Sequence, residues 1–284
     1  MLKKLMLLGV VSSTALGAGV ERIDTLHVPG APLASFDIGI VTDAGIYALA
    51  DRSNNGVDLI EAATGKFLGR VTGFTDKPAF VTFISSEKYQ VLGKVTLEHA
   101  TDGAEQPQWD AVTGKIYLTI PVLDDVDANG AVAVFDPHTL KLERQLPVSK
   151  CMPAGLAVGP EGHLLLGCSD DAVASGFPAQ SLVMDARSGK ILATVDKVGG
   201  SDEVWYDPKA GNYYLAAAKN PGGPVLGVVD ARTNHWLANL PTGQHAHSVA
   251  ADPRSGRVFV PIEAHKGSKD CATGCIAVYA PHGN

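Results

Sequence analysis

One strand–turn–strand segment recurs along this chain of 284 residues. In each copy two short apolar strands flank a polar turn, and the turn carries an acidic residue followed three positions later by Thr or Ser, as is typical of a β-hairpin. The clear copies lie at 56–71, 131–142, 181–192 and 225–236, and a shorter copy lies at 80–97. A repeated hairpin must bury its apolar face against its neighbours, which limits the chain to a few repeat architectures.

A second hairpin precedes most of these copies. Segments 109–117, 204–214 and 249–259 each have an Asp four residues before a Gly and an aromatic residue three positions after that Gly, and 156–166 and 38–49 are degenerate copies. Two hairpins per repeat of about 40 to 50 residues make a four-stranded antiparallel blade. Blades of this kind arranged around an axis form a β-propeller.

We therefore expect an all-β propeller of about six four-stranded blades, written as five full repeats plus one half repeat. The half repeat is segment 73–99, which contains only an outer hairpin. The last repeat has strands near 247–252, 256–262 and 275–280, and the strand-like segment 21–28 can supply its fourth strand. Closing the ring in this way leaves no open sheet edge at the junction.

The first 18 residues form a separate compositional unit. Lys3 and Lys4 precede the apolar run 5–11, and small residues continue to Ala18, a pattern typical of a secretory signal peptide. The apolar run is about half the ~20 residues that a membrane-spanning helix needs, so no membrane span is expected. The sequence therefore predicts a signal peptide at 1–18, a single propeller domain at 19–284, and a periplasmic or secreted protein.

An oxidising compartment changes the interpretation of the four cysteines. Disulfides form and persist there, so we expect Cys151 to pair with Cys168 and Cys271 with Cys275. The spacing of Cys271 and Cys275 also suits half of a zinc site, but the chain lacks a second half-site of suitable spacing.

Charge and missing motifs exclude several functions. The formal net charge is −7, whereas gripping a phosphate backbone requires a basic surface, so nucleic acid is not an expected partner. The Gly-rich phosphate loops, the Gly-x-Ser-x-Gly elbow and the Cys-x-x-Cys-His haem signature do not occur. We expect neither a nucleotide nor a haem cofactor.

The repeated turns resemble those of the YVTN-type β-propeller repeat proteins of bacteria. The shared pattern is strand, Asp-x-x-(Thr/Ser)-(Gly/Asn), strand, with Asp-Pro-x-x-Gly in inner hairpins such as 207–211 and 252–256. The resemblance covers nearly all of 19–284 and implies the propeller fold. It implies no particular activity, because the repeated residues belong to turns and core.

Residues just before each inner strand should converge on the propeller axis, where function tends to gather. Aligning the inner hairpins on their turns places five residues at one equivalent position: Asp37, Glu105, Ala154, Asp202 and His247. The next position holds Gln106, Gly155, Glu203 and Ser248. Carboxylates around an axis could hold a divalent cation, with Ca²⁺ as first choice, through Glu105, Asp202, Asp37 and Glu203. The alternative is that polar residues simply line a wet channel.

Two histidines add a second signal before the last inner strand. Alternate residues of an extended segment point the same way, so His245 and His247 could share one ion. The alternative is one axial and one surface histidine.

Two functions fit these features nearly equally. The first is implied by a resemblance, in architecture, to propeller lactonases such as the gluconolactonase type: a metal-assisted hydrolase of lactone-type cyclic esters, a small-molecule substrate. In it the cation would polarise the carbonyl and His247 or His245 would activate water. The second is a non-catalytic periplasmic module that binds a small ligand, a metal or a protein partner. A copper redox site of several histidines is a weaker third reading.

Overall fold

The computed structural model describes residues 20–42, 44–72, 80–84 and 91–281. The predicted signal peptide lies outside the described residues, as does the turn of the shortest hairpin copy. The first half of the described chain contains eleven strands: β1 Val20–Leu26, β2 Gly39–Val41, β3 Ile46–Asp51, β4 Gly56–Glu61, β5 Phe67–Thr72, β6 Phe80–Ile84, β7 Val91–Thr96, β8 Pro107–Asp110, β9 Lys115–Ile120, β10 Asn129–Asp136 and β11 Lys141–Ser149.

The second half contains eleven more strands and one short helix, α1 Asp170–Ala174. The strands are β12 Pro153–Val158, β13 His163–Cys168, β14 Ser181–Asp185, β15 Ile191–Val195, β16 Val204–Asp207, β17 Asn212–Ala217, β18 Val225–Asp230, β19 Trp236–Pro241, β20 Ala250–Asp252, β21 Arg257–Ile262 and β22 Cys275–Pro281. Single 3₁₀ turns lie at Arg52–Asn54 and Pro160–Gly162. Across the described ranges, no helix is both long and apolar enough to cross a membrane.

The strands form five four-stranded antiparallel blades. In chain order these are β2 to β5, β8 to β11, β12 to β15, β16 to β19, and β20 to β22 with β1. The innermost strands of successive blades are in contact from β8 through β12, β16 and β20 to β2. The all-β propeller predicted from the repeats is confirmed.

The expected count of about six four-stranded blades is wrong. Between the first and second blades the described chain has only the two-stranded sheet of β6 and β7. Residues 73–79 alone separate β5 from β6, which is too few for two further strands and their connections. The propeller thus has five blades, and the half repeat supplies an outer hairpin only.

The last blade combines the two ends of the described chain, as the sequence predicts. Strand β1 pairs antiparallel with β22, from Val20 opposite Pro281 to Leu26 opposite Ile276. It therefore supplies the outer, fourth strand of that blade.

The Asp-Pro-x-x-Gly turns have a direct structural cause. The Asp207 carboxylate accepts hydrogen bonds from the backbone N–H groups of Lys209 (2.8 Å) and Ala210 (3.2 Å). Gly211 then adopts a φ of 69°, a left-handed conformation that glycine takes without steric cost. This side-chain cap fixes the tight turn that joins the two strands of an inner hairpin.

The hydrophobic core lies mainly between adjacent blades. One buried cluster joins Tyr214 and Val228 of the fourth blade to Val258 and Val260 of the fifth. The first and fifth blades meet through Tyr47 and Phe259, whose rings stack with centroids 4.8 Å apart. Each blade is thus stabilised by burial against its neighbours.

A buried charged group lies in the first blade. Arg70 donates from Nε to Asp58 Oδ1 at 2.5 Å and from Nη2 to Asp51 Oδ2 at 3.0 Å. Both carboxylates are almost fully buried. Burial, and the neighbouring Asp51, raise the pKa of Asp58 to about 6, although Arg70 acts in the opposite direction.

Both predicted disulfides are present. Cys151 is bonded to Cys168 across the hairpin of β12 and β13, and Cys271 is bonded to Cys275. The zinc alternative for the second pair is excluded in this structure, because both of its sulfurs are in the disulfide.

Removing the longer-range disulfide should be the more costly change. The Cys151–Cys168 bridge closes a separation of 17 residues and the Cys271–Cys275 bridge one of 4. By loop-closure entropy, Cys151→Ala with Cys168→Ala should lower the free energy of unfolding by about 3 kcal/mol, and Cys271→Ala with Cys275→Ala by about 2 kcal/mol. Urea unfolding measures both variants. An equal or larger loss for the shorter loop would contradict the expectation.

Candidate functional site

A cavity of about 180 Å³ opens near the axis, where the inner strands begin. Four predicted site residues line it together, namely Asp37, Glu105, Asp202 and Glu203. The rest of the wall comes from Ile38, Ala104, Gln106, Pro107 and Ala154. Residues from four blades therefore meet at one small polar space.

The backbone explains why these side chains converge. In three blades, the residue two positions before the inner strand donates its N–H to a carbonyl of the second strand of the same blade. The bonds are Asp37 to Ala50 O (2.9 Å), Glu105 to Thr119 O (2.9 Å) and Asp202 to Ala216 O (3.3 Å). The three carboxylates thus occupy equivalent positions in their blades, and Ala154 lines the same cavity from the third blade.

Asp37 forms an ion pair with Arg52. Arg52 begins the 3₁₀ turn between β3 and β4, which Asp51 caps by accepting from the backbone N–H of Asn54 at 3.0 Å. The Arg52 side chain is 52% exposed and that of Asp37 is 40% exposed. The cavity therefore has a guanidinium beside it that solvent and small molecules can reach.

Asp202 is half-buried, and its pKa is raised to about 7. Burial is the main cause, and the negative charges of Asp170, Asp37 and Asp171 act in the same direction, whereas Arg52 acts against them. A carboxyl group with this pKa is populated in both protonation states near neutral pH. It can therefore accept a proton and return it, which is the requirement for general acid–base catalysis.

Glu203 is buried and serves the scaffold. Its Oε2 accepts from Ser248 Oγ at 2.6 Å, and the backbone of Gly39 also hydrogen-bonds to it. Burial raises its pKa well above the ordinary glutamate value. The side chain thus links the fourth blade to the fifth and the first near the axis.

Gln106 is a site residue to which sequence reasoning gave no role. Its Nε2 donates to Val204 O at 2.9 Å, and its Oε1 accepts from the N–H groups of Leu156 (2.9 Å) and Val204 (3.2 Å). The buried amide thereby links the second blade to the third and fourth. The available signal was its place in the alignment, equivalent to Glu203, where a polar side chain again bridges blades.

The two predicted histidines lie outside the cavity wall. His247 stacks on Phe36 with ring centroids 4.4 Å apart, and its Nδ1 and Nε2 lie 2.8 Å and 3.3 Å from the carbonyl oxygens of His245 and Phe36. His245 is exposed, with Nδ1 3.9 Å from Glu263 Oε2.

The alternation predicted for His245 and His247, which would point both imidazoles toward one ion, is wrong. It requires an extended segment, whereas β20 begins only at Ala250 and His245 has a φ of 52°. Their expected part in activating water in the axial pocket loses its geometric basis, because neither ring reaches that pocket in the structure.

The described residues support the expected cation site only in part. Carboxylate oxygens suit Ca²⁺, and Glu105, Asp202, Asp37 and Glu203 share one cavity. However, among the described residues no three His, Cys, Asp or Glu side chains lie close enough together to hold a metal ion. Asp37 is paired with Arg52 and Glu203 with Ser248. The donor chemistry fits Ca²⁺, but the described side chains do not form a ready-made ligand group.

Comparisons with known proteins find no matching family model and no similar curated protein sequence. Among solved structures, luciferin-regenerating enzyme is similar with a TM-score of 0.57 and 12% identity, over 92% of this chain and 94% of that one. Regucalcin from Agrobacterium tumefaciens, described as a calcium-binding protein, is similar with a TM-score of 0.58 and 13% identity, over 90% and 93%. At these identities the likeness establishes a β-propeller fold, and membership of the YVTN-type repeat family stays a prediction.

Proposed function

We propose that this chain is a hydrolase of small lactone-type cyclic esters that acts in the axial cavity. The observation that carries the proposal is Asp202, a carboxyl group with a pKa of about 7 in a cavity that has the Arg52 guanidinium beside it. A base and a cation are what ester hydrolysis needs, because water must lose a proton while the carbonyl oxygen gains negative charge. An enzyme among the structural neighbours adds support.

The mechanism follows from these two groups. The ionised Asp202 carboxylate takes a proton from water, and the water oxygen attacks the lactone carbonyl carbon. The tetrahedral intermediate carries an oxyanion, which the positive Arg52 side chain stabilises. When the ring C–O bond breaks, protonated Asp202 gives its proton to the leaving alkoxide. The product is a hydroxy acid, and Asp202 is ready for another cycle.

The size of the cavity limits the substrate. About 180 Å³ is below the range of about 300 to 1,000 Å³ that is typical of pockets for drug-sized ligands. A five- or six-membered ring with a short substituent is therefore the proposed substrate, and extended chains would have to lie outside the cavity.

A divalent cation, Ca²⁺ first, is a further part of the proposal that rests on donor chemistry and on the calcium-binding neighbour. The residues that would hold it are Glu105, Asp202, Asp37 and Glu203, which line one cavity. A bound cation would polarise the lactone carbonyl. Since the described side chains do not form a ligand cluster, no step of the mechanism is assigned to it.

Localisation also remains a proposal. The two disulfides support a periplasmic or secreted protein, made with a signal peptide at 1–18 that precedes the propeller domain at 19–284.

A non-catalytic binding module is the second candidate. It is favoured by the fact that Glu203 and Gln106 are engaged in bonds between blades, so part of the polar lining serves the scaffold. In that case the rigid cavity would bind a small ligand, a metal or a group from a protein partner and would catalyse no reaction.

Turnover of simple lactones tests the choice between the two. Purified protein should hydrolyse γ-butyrolactone, δ-valerolactone or homoserine lactone at rates at least 100-fold above buffer, as monitored by acid release in a pH-stat. Parallel assays contain EDTA or added Ca²⁺: equal rates would assign the reaction to Asp202 and Arg52 alone, and faster hydrolysis with Ca²⁺ would support the cation. If folded protein hydrolyses none of these lactones in either condition, the result contradicts the hydrolase and favours the binding module.

A further inference from the structure

A second cavity lies next to the axial cavity in the centre of the ring. Its volume is about 90 Å³, and its lining comes from the inner strands β8, β12 and β16: Gln108, Ala157, Val158, Val204, Trp205 and Tyr206. On or just before each of these strands, the residues that line the axial cavity come earlier in the chain. The two cavities therefore occupy successive levels of the same central space.

The side chain of Gln106 lies at the boundary between the two cavities. Its amide bonds to the backbone of Leu156 and Val204. On β12, Leu156 lies between Ala154 of the axial cavity and Ala157 of the second cavity. On β16, Val204 is the first residue that lines the second cavity. The amide therefore crosses the central space at the level where one cavity ends and the other begins.

The boundary is closely packed. Gln106 is 3% exposed, and Leu156 and Val204 are fully buried. A Cβ on Gly155 would lie 2.6 Å from the carbonyl oxygen of Asp202 and 3.0 Å from the Val204 nitrogen, so the backbones of β12 and β16 approach closely at this level. The two cavities are therefore separated by packed protein atoms, with the amide of Gln106 among them.

Three hydrogen bonds hold the amide of Gln106 in this position. Nε2 donates to the carbonyl oxygen of Val204, and Oε1 accepts from the N–H groups of Leu156 and Val204. Displacing the side chain would leave these buried groups without partners, which is costly. Gln106 is thus a fixed partition between the cavities.

The two cavities differ in chemistry. The axial cavity contains carboxylates, whereas most of the second cavity is apolar, with Ala157, Val158, Val204 and Trp205 in its lining. An alkyl chain gains free energy when it leaves water for such surroundings. The second cavity would therefore suit an alkyl substituent, if a ligand in the axial cavity could reach it.

We propose that Gln106 determines which substrates this site accepts, because its amide prevents the substituent of a bound lactone from entering the second cavity. The identity of the reaction rests on the proposed function, whereas the effect of Gln106 on ligand length does not. Gln106→Ala should join the two cavities and admit lactones with longer alkyl substituents.

Hydrolysis of a short and a long lactone measures this effect. The wild type should prefer γ-valerolactone, which carries a methyl group, to γ-octalactone, which carries a butyl group. Gln106→Ala should raise the ratio of kcat/KM for the long lactone to that for the short one at least about tenfold, mainly through a lower KM for the long lactone. A general loss of structure would lower both values and would not favour the longer substrate.

Two further variants and a control separate the partition from other effects. Gln106→Met fills a similar volume and should keep the wild-type ratio, whereas Gln106→Val should give an intermediate ratio and provides the test if the alanine variant does not fold. The matched control is Gln108→Ala, the same substitution within the second cavity, which leaves the partition in place and should keep the wild-type ratio. An unchanged ratio in folded Gln106→Ala and Gln106→Val, or an equal change in Gln108→Ala, would overturn the proposal.

Ring ketones test the partition without any reaction, because they have nearly the shape of a lactone but no ester bond. In NMR titrations of the full chain, Gln106→Ala should bind 2-butylcyclopentanone at least about tenfold more tightly than the wild type does, and the affinity for cyclopentanone should change little. Failure of the alanine variant to gain affinity for the butyl ketone would overturn the proposal.

The two proposals can fail separately. Tighter binding of the butyl ketone by Gln106→Ala, without hydrolysis of any lactone by the wild type or the variant, would remove the proposed function and keep the role of Gln106. Hydrolysis of lactones by both proteins with the same preference for length would keep the function and remove the role of Gln106.

Discussion

Asp202→Asn is expected to lower kcat/KM for lactone hydrolysis by about 10² to 10⁴-fold, the usual contribution of a positioned general base. The amide has nearly the same shape as the carboxyl group, but it cannot accept the proton from water. Initial rates with γ-butyrolactone measure the effect. The control is Asp196→Asn, whose side chain is 76% exposed and pairs with Lys197, and it should keep the wild-type rate.

The pH dependence of lactone hydrolysis by the wild-type protein should also identify Asp202 as the base. The base must be ionised, and burial raises the pKa of Asp202 to about 7. The rate should therefore rise tenfold per pH unit below pH 7 and level off above it. An Asp202→Asn variant that retains more than a tenth of the activity, or a wild-type rate that is already flat from pH 5, would remove Asp202 from this role.

Stability provides a check that the activity loss is not a folding defect. Because folding raises the pKa of Asp202 to about 7, the folded state binds more protons than the unfolded state between the ordinary aspartate pKa and that value. Stability therefore falls as pH rises through this window, and the full loss is present above it. Asp202→Asn should thus be at least as stable as the wild type at pH 8. A variant that is more stable and inactive is the expected result for a residue kept for function.

Arg70→Met is expected to lower the free energy of unfolding by about 3 to 5 kcal/mol, the usual cost of leaving a buried charge without its partner. Asp51 and Asp58 are 1% and 0% exposed, and both bond to this one guanidinium. The methionine keeps most of the side-chain volume and removes the charge. Urea unfolding at pH 8 measures the loss.

The loss should be smaller at pH 5 than at pH 8. The pKa of Asp58 is already raised to about 6 with Arg70 present, and removing the guanidinium raises it further. Below that pKa the folded variant can bind a proton in place of the cation. The matched control is Arg144→Met, whose guanidinium bonds only to the carbonyls of Ala186 and Arg187 among its described partners, and about 1 kcal/mol is expected for it. Equal losses for the two variants would contradict the role given to Arg70.

The features that could be predicted from the sequence are determined by residues that lie close together in the chain. The turn at Asp207 is determined by residues within four positions of it, so its hairpin could be predicted from spacing alone. The disulfide between Cys151 and Cys168 spans a single hairpin. Asp37, Glu105 and Asp202 could be placed at one position because each precedes the first strand of a repeat.

The features that sequence missed need contacts between distant segments. Arg70, Asp51 and Asp58 are polar residues that look exposed in the chain, and only the packing of the first blade shows that they are buried together. Gln106 bonds to residues about 50 and 98 positions away, which no local pattern specifies. The prediction that His245 and His247 point the same way failed for a local reason. It assumed an extended segment, and His245 has a left-handed conformation instead.

The pairing of β1 with β22 imposes an order on folding. Strand β1 is made first of the described strands, yet its partner Cys275–Pro281 is made last. During synthesis β1 therefore has no partner strand until the strands of the other four blades have been made. Contacts so distant in sequence are slow to form, so the ring is expected to close in a late step that only a finished chain can take.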